Sequence, residues 1–223
     1  MNSSPQRAWF FISVACSLAH VFFISLEMSN LVYLTKPLCL IFIIQIFIHE
    51  EDSTSNHKIK PLFLMGLCFS LVGDIVLMFP QQFFLHGILF FLCAQCCYSI
   101  TFFRLIPWKK QDLIYAILPA LYLLGLLTIL LPNIGKFAIA IVIYGAIIST
   151  MFWRALCCLS LRRIEAYLLA FGAFLFVASD SCIAINKFVV AFPSAKVAIM
   201  TTYLAAQILL TYSTIVLSRT KSS

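Results

Sequence analysis

Two aspartates lie deep within stretches of sequence that are otherwise almost entirely apolar. Asp74 follows residues 66–73, and Asp180 follows residues 172–179. A carboxylate in hydrocarbon costs roughly 3 kcal/mol or more on insertion scales, so an aspartate in such a place indicates a function. The other acidic residues fall in loops or at the ends of apolar segments: Glu27, Glu50, Glu51, Asp52, Asp112 and Glu165. We therefore predict that Asp74 and Asp180 are the catalytic residues.

Two carboxyl groups near a cation in an apolar cavity suit acid–base chemistry. The group that the cation compensates tends to ionise, whereas the other tends to stay protonated. Such a difference provides one general acid and one general base, and the sequence does not indicate which aspartate is which. Lys36, which precedes Pro37 in an apolar stretch, is the candidate cation. It could neutralise a phosphate or one aspartate, or it could extend outward to the bilayer surface.

Further polar side chains fall at a similar depth in other apolar segments. With a rise of about 1.5 Å per residue, His20, Lys36, Tyr203 and the two aspartates share one layer near one bilayer surface. Small and polar residues on a membrane helix face other helices, because lipid offers them no partners. The predicted substrate-binding residues are Lys36, Gln95, Tyr98, Tyr203 and Gln207. The alternative is that these residues only pack the helices together, with Lys36 paired to an aspartate.

The sequence lacks the motifs of several other kinds of enzyme. It contains no nucleophile elbow, P-loop, zincin motif or glycine-rich dinucleotide turn. Acid–base hydrolysis of a lipid is therefore favoured over serine hydrolysis, phosphoryl transfer and redox chemistry. Residues 49–60 are interpreted as a solvated loop, although their histidines and acidic residues could in principle hold a metal. We predict no cofactor and no bound metal.

The composition predicts that membrane helices position these residues. Hydrophobic residues make up 63% of the 223 and charged residues only 10%, against about 45–50% and about 25% in soluble domains. A membrane span needs about 20 largely apolar residues. We predict an all-α polytopic bundle, a single transmembrane domain over residues 1–223, with about eight transmembrane helices. They are 8–26, 31–49, 61–79, 83–103, 113–131, 136–156, 166–186 and 197–217.

The basic residues are distributed unevenly between the two ends of this predicted bundle. One end, which would hold both termini, carries Arg7, Lys58, Lys60, Arg104, Lys109, Lys110, Arg154, Arg162, Arg163, Arg219 and Lys221. The other end carries Lys136, Lys187 and Lys196. Cytosolic ends of membrane proteins are enriched in Lys and Arg, so we expect both termini in the cytosol. The net charge of +7 therefore indicates topology and contact with membrane lipids rather than binding of nucleic acid.

A weak internal repeat accompanies the two aspartates. Each aspartate follows a glycine by eight residues and a small residue by one, and an Ala-Gln pair stands in each following span. The pairs are Ala94-Gln95 and Ala206-Gln207. A parallel four-plus-four duplication is one explanation, and sites in membrane proteins often lie between such repeats. Chance similarity between apolar sequences is the other explanation.

At these residues the chain resembles a known family, the YhhN-like lysoplasmalogenases. The similarity runs from the second predicted span to the eighth, in order and at family-like spacing. The matching pieces are Lys36-Pro37-Leu38, residues 69–78, residues 83–87, Ala94 with Tyr98, residues 172–176, Ser179-Asp180, Lys187-Phe188, and Tyr203 with Ala206-Gln207. One departure is visible, because the family commonly has histidine where this chain has Gln95, and glutamine cannot transfer a proton at neutral pH.

The resemblance implies hydrolysis of the vinyl ether bond of lysoplasmalogens to a fatty aldehyde and glycerophosphoethanolamine or glycerophosphocholine. One aspartate would protonate the vinyl carbon, and the other would stabilise the resulting cation and activate water. The membrane would be the endoplasmic reticulum in a eukaryote, or the inner or plasma membrane in a bacterium. Two alternatives remain: a transporter or lipid-binding protein in which the aspartates relay protons, and a catalytically inactive relative. The sequence does not indicate an oligomeric state.

Overall fold

The computed structural model of the chain describes residues 4–49, 59–79 and 81–220. The secondary structure of these residues is all helical, which confirms the predicted fold class for them. The α-helices are α1 Ser4–Ser25, α2 Ser29–Ile48, α3 Lys60–Val76, α4 Phe84–Leu105, α5 Ile117–Ile134, α6 Ala138–Cys157, α7 Ile164–Phe188 and α8 Ala195–Thr220. Most of the predicted solvated loop, residues 50–58, lies outside the described residues.

Six continuous helical segments of the described chain are long and apolar enough to cross a membrane. One of them, Lys110–Leu161, is 52 residues long and contains both α5 and α6. These two helices are separated at Gly135, whose φ of 49° lies in the left-handed region that glycine adopts without strain. The helix α3 has only 17 residues. The segments support a multi-pass membrane protein, and the eight crossings and the cytosolic termini stay predictions.

Helix pairs that are adjacent in sequence form the largest contacts of the bundle. The helix α3 packs along α4, and α7 packs along α8. Small residues allow these close approaches, as expected when lipid surrounds a bundle. A methyl group on Gly172 would lie 3.0 Å from the Cβ atom of Leu209 and 3.3 Å from the carbonyl oxygen of Ala206. The same helix pairs carry Asp74 and Asp180, so packing of the small residues sets the positions of both carboxyl groups.

We expect Gly66→Ala to destabilise the bundle by about 1–3 kcal/mol, the range for overpacking a tight core. A methyl group there would lie 2.5 Å from Cε1 of Tyr98, whose ring is fully buried and packs on Phe63 at 5.0 Å. Gly125→Ala in α5 is the matched control, since no atom lies within 4 Å of the added carbon. Thermal unfolding in detergent should give a lower Tm for Gly66→Ala only. Equal Tm values would contradict this packing.

Asp112 and Arg154, assigned above to a loop and to the basic cytosolic surface, are instead buried together. Arg154 is 0% exposed, and its Nη1 atom lies 3.4 Å from Oδ2 of Asp112. Its Nη2 atom donates a hydrogen bond to the carbonyl oxygen of Ile106 at 2.6 Å. The indole of Trp153 donates to the carbonyl oxygen of Asp112 at 2.8 Å. Asp112 therefore has a structural role that its predicted place in a loop did not indicate, because it ties the α4–α5 connection to α6.

Candidate functional site

Asp74 lies at the centre of a polar cluster between α2, α3 and α8. It is 3% exposed, and the ammonium of Lys36 lies 3.4 Å from its Oδ1 atom. The hydroxyl of Tyr203 donates a hydrogen bond to its Oδ2 atom at 2.7 Å. Three helices thus meet at one carboxyl group. Of the arrangements that the sequence left open for Lys36, the structure shows the ion pair with an aspartate. A charge-assisted contact on each oxygen stabilises Asp74 as a carboxylate.

A chain of buried hydrogen bonds extends from this cluster towards α4. The amide of Gln207 donates to the Tyr203 hydroxyl at 3.3 Å, one helical turn away on the same face of α8. The Tyr98 hydroxyl donates to Oε1 of Gln207 at 3.1 Å, and Ser70 Oγ lies 3.2 Å from the same hydroxyl. These side chains fix the orientation of Tyr203, and through it the position of the Asp74 carboxylate.

His20 belongs to the edge of the same cluster. Its Nδ1 atom forms a 2.7 Å hydrogen bond with the Thr35 hydroxyl, and its side chain is fully buried. Thr35 immediately precedes Lys36 in α2. The predicted layer of polar groups therefore includes α1, but His20 makes no contact with either aspartate among the described residues.

Asp180 has different surroundings from Asp74. The Tyr144 hydroxyl of α6 donates a hydrogen bond to its Oδ2 atom, and the Gln95 amide lies beside that hydroxyl without a hydrogen bond of ordinary geometry. Asp180 is half-buried. Within the described ranges, no cation forms an ion pair with it. Asp180 therefore lacks the compensation that Lys36 gives to Asp74.

A cavity of about 70 Å³ lies beside Asp180, between α4, α6 and α7. Its wall is formed by Leu77, Phe84, Ile88, Phe91, Ile141, Tyr144, Asp180, Ile183, Ala184 and Phe188. Eight of these ten residues are apolar, so the wall suits an apolar group and the carboxyl group is its main polar feature. Among the described residues, no three His, Cys, Asp or Glu side chains are grouped to hold a metal ion.

The Asp74 cluster lies behind one wall of this cavity. Phe91 lines the cavity, and its ring meets the Tyr203 ring edge to face at 5.9 Å. None of the five predicted substrate-binding residues is among the described residues of the wall. Leu77, three residues after Asp74 in the chain, nevertheless lines the cavity together with Asp180. The arrangement is one carboxyl group facing the cavity and a second, ion-paired carboxylate behind the side chains of Phe91 and Tyr203.

Tyr144 is the functional candidate that the sequence analysis missed. It lies six residues into α6, about 9 Å along the helix axis, and the six residues before it in the helix are all apolar. A tyrosine near a bilayer surface is ordinarily an interfacial anchor. The sequence feature that could have identified Tyr144 is its depth in the predicted span, which matches the depth of Asp180 on the neighbouring helix.

Comparisons with known proteins identify proteins that the chain resembles. The model of the YhhN family matches residues 31–214. The chain is similar to lysoplasmalogenase TMEM86A of Bos taurus, at 34% identity over 72% of this chain and 68% of the relative. It is also similar to lysoplasmalogenase TMEM86B of Rattus norvegicus, at 35% identity over 94% of this chain and 85% of the relative. No solved structure matches the chain.

Proposed function

Because this chain belongs to the YhhN family, we propose that it is a membrane hydrolase that cleaves the vinyl ether bond of lysoplasmalogens. The products would be a fatty aldehyde and glycerophosphoethanolamine or glycerophosphocholine. The relatives named lysoplasmalogenase support this reaction class. The observation that carries the proposal is Asp180, a carboxyl group that faces an apolar cavity and has no paired cation in the described part of the chain. Protonating a vinyl carbon needs an acid placed beside a hydrocarbon chain, in a site with little water.

We assign the role of proton donor to Asp180. A neutral carboxyl group is the form favoured where no cation compensates the charge and the neighbours are apolar. The hydrogen bond from Tyr144 occupies Oδ2 and holds the carboxyl group in one orientation. The other oxygen can then carry the proton towards the cavity.

The proposed reaction uses Asp180 twice. The Asp180 proton moves to the β-carbon of the vinyl ether, whose π electrons form the new C–H bond, and an oxocarbenium ion results. Water then attacks the α-carbon and gives one proton to the Asp180 carboxylate. The hemiacetal breaks its bond to the glycerol oxygen, which takes the hemiacetal hydroxyl proton, and the aldehyde leaves. The acid is regenerated and no cofactor takes part.

Asp74 is proposed to stabilise the oxocarbenium ion electrostatically. Its carboxylate is held by Lys36 and Tyr203, and the Tyr203 ring packs on Phe91, which lines the cavity. A fixed negative charge near a site that becomes positive lowers the barrier without reorganisation during the reaction. In this proposal three of the five predicted substrate-binding residues, Tyr98, Tyr203 and Gln207, hold Asp74 rather than the lipid.

The proposed duplication explains why the two aspartates differ. In that duplication α6 takes the place of α2, and α4 takes the place of α8. Lys36 of α2 contacts Asp74, whereas Tyr144 of α6 contacts Asp180. The helix before the first aspartate thus contributes a lysine and the helix before the second a tyrosine, which leaves Asp180 without a paired cation among the described residues.

A second difference between the two aspartates concerns the helices that follow them. Tyr203 and Gln207 of α8 stand 112 residues after Phe91 and Gln95 of α4. Tyr203 bonds to an aspartate, whereas Phe91 lines the cavity. The surroundings of Asp180 are thus open to an apolar ligand, whereas those of Asp74 are occupied by hydrogen-bonded side chains. This correspondence supports the four-plus-four repeat as a proposal.

Purified protein in detergent should release free fatty aldehyde from lysoplasmenylethanolamine. Detergent removes any gradient, so a transporter would give no product under these conditions. Lysoplasmenylcholine in a parallel assay measures headgroup preference. A folded protein that releases no aldehyde from either lipid would contradict the proposed hydrolysis and favour transport or an inactive relative, for which Gln95 in place of the family histidine would be one reason.

A further inference from the structure

Two lysines lie at the rim of the cavity beside Asp180. The ammonium of Lys187 lies 4.1 Å from the ring centre of Phe84 and 5.9 Å from that of Phe188, and both rings line the cavity. Lys136 lies over the Phe137 ring at 5.6 Å. The Phe137 ring in turn contacts the rings of Phe84 and Phe188 at 6.3 Å and 5.8 Å. Three packed aromatic rings therefore hold two ammonium groups at one edge of the cavity.

These ammonium groups have no carboxylate partner in the described parts of the chain. Lys187 is half-buried and Lys136 is exposed. Cation–π contacts hold a lysine in place but leave its N–H donors available to an anion. Lys36, the other candidate for binding a phosphate, is already paired with Asp74. Both ammonium groups are therefore available to an anionic ligand at this edge of the cavity.

We propose that Lys187, assisted by Lys136, binds the phosphodiester group of the lysophospholipid and so positions its vinyl ether at Asp180. This inference rests on the proposed function and adds the residue that fixes the position of the substrate. Ethanolamine and choline lysolipids share the phosphodiester, so this contact would accept both. A lysine at this place explains how a small apolar cavity selects a phospholipid over other alkyl chains.

The spacing along α7 fits this ligand. Lys187 follows Asp180 by seven residues, so the two side chains lie on the same face of α7, about 10 Å apart along its axis. In a lysoplasmalogen seven bonds separate the phosphorus from the vinyl carbon that accepts the proton, roughly 8–9 Å when extended, which matches the rise of the helix. A phosphate held at Lys187 therefore places that carbon beside the Asp180 carboxyl group.

Lys187→Gln should change the kinetics only for substrates that carry the phosphate. Its kcat/KM for lysoplasmenylethanolamine should fall roughly tenfold or more, mostly through KM, since a charge-assisted contact is lost. Its kcat/KM for the matching 1-alkenylglycerol, which lacks the phosphate, should equal that of the wild type. Lys187→Arg should keep most of the activity, and Lys196→Gln is the control at an exposed lysine outside the cavity wall. Equal losses on both substrates, or no loss on the phospholipid, would overturn the proposal.

A binding measurement keeps this proposal separate from the proposed reaction. The saturated alkyl ether analogue of lysoplasmenylethanolamine cannot be hydrolysed by vinyl protonation. In a detergent without phosphate, it should raise the Tm of the wild type more than that of Lys187→Gln, whether or not the wild type releases aldehyde. Inorganic phosphate should give no Lys187-dependent shift. A phosphate-induced shift that Lys187→Gln abolishes would assign the site to free phosphate, and an analogue shift independent of Lys187 would also refute the proposal.

Discussion

Asp180→Asn should lower kcat for aldehyde release by about 10²–10⁴-fold, the range that a positioned acid contributes. Asparagine matches aspartate in shape and its carbonyl can accept the hydrogen bond from Tyr144. It cannot deliver a proton to carbon at neutral pH. The protein should therefore insert and fold normally, with a Tm near that of the wild type, while single-turnover assays with lysoplasmenylethanolamine detect almost no aldehyde.

Tyr144→Phe provides a graded comparison for the same site. It keeps the Asp180 acid and removes only the hydroxyl that orients it, so we expect a smaller loss in kcat, roughly tenfold. Full turnover by Asp180→Asn would refute the assigned role of Asp180. A larger loss for Tyr144→Phe than for Asp180→Asn would instead point to the tyrosine as the proton donor.

The polar layer was largely predictable because the cost of burying a charge in lipid restricts where such residues can stand. Lys36, Asp74 and Tyr203 were placed in one layer by counting residues along apolar segments, and the structure brings them into contact. The sequence could not show which aspartate receives the lysine. That choice depends on which helices are neighbours, and residue spacing along one helix carries no such information.

The helix bounds show what counting apolar residues does not predict, namely where a helix starts and which polar residues beside it are buried. The predicted span 113–131 begins inside the 3₁₀ segment Lys110–Ala116, and the helix itself starts at Ile117. Asp112 stands in that 3₁₀ segment and turns inward to Arg154. Hydropathy assigned both residues to the aqueous side because it scores residue types and cannot register a partner 42 positions away in sequence.

Asp74→Asn should lower turnover by about 10²-fold, although in this arrangement its side chain does not line the cavity. Two effects add. The carboxylate that is proposed to stabilise the oxocarbenium ion is lost, and Lys36, its ion-pair partner, is left as an uncompensated positive charge near a reaction centre that becomes positive. The fold should be weakened as well, because breaking a buried ion pair by removing one partner typically costs about 3–5 kcal/mol.

The double variant Lys36→Met/Asp74→Asn separates these contributions. Removing both charges together avoids an unpaired buried charge, so its Tm should return towards that of the wild type. Its turnover should recover only in part, since the opposing lysine is gone but the stabilising carboxylate is still missing. The expected order of kcat is wild type, double variant, Asp74→Asn, measured as aldehyde release in detergent. If the double variant regains both stability and full turnover, Asp74 and Lys36 serve only to hold α2, α3 and α8 together, and the electrostatic role assigned to Asp74 fails.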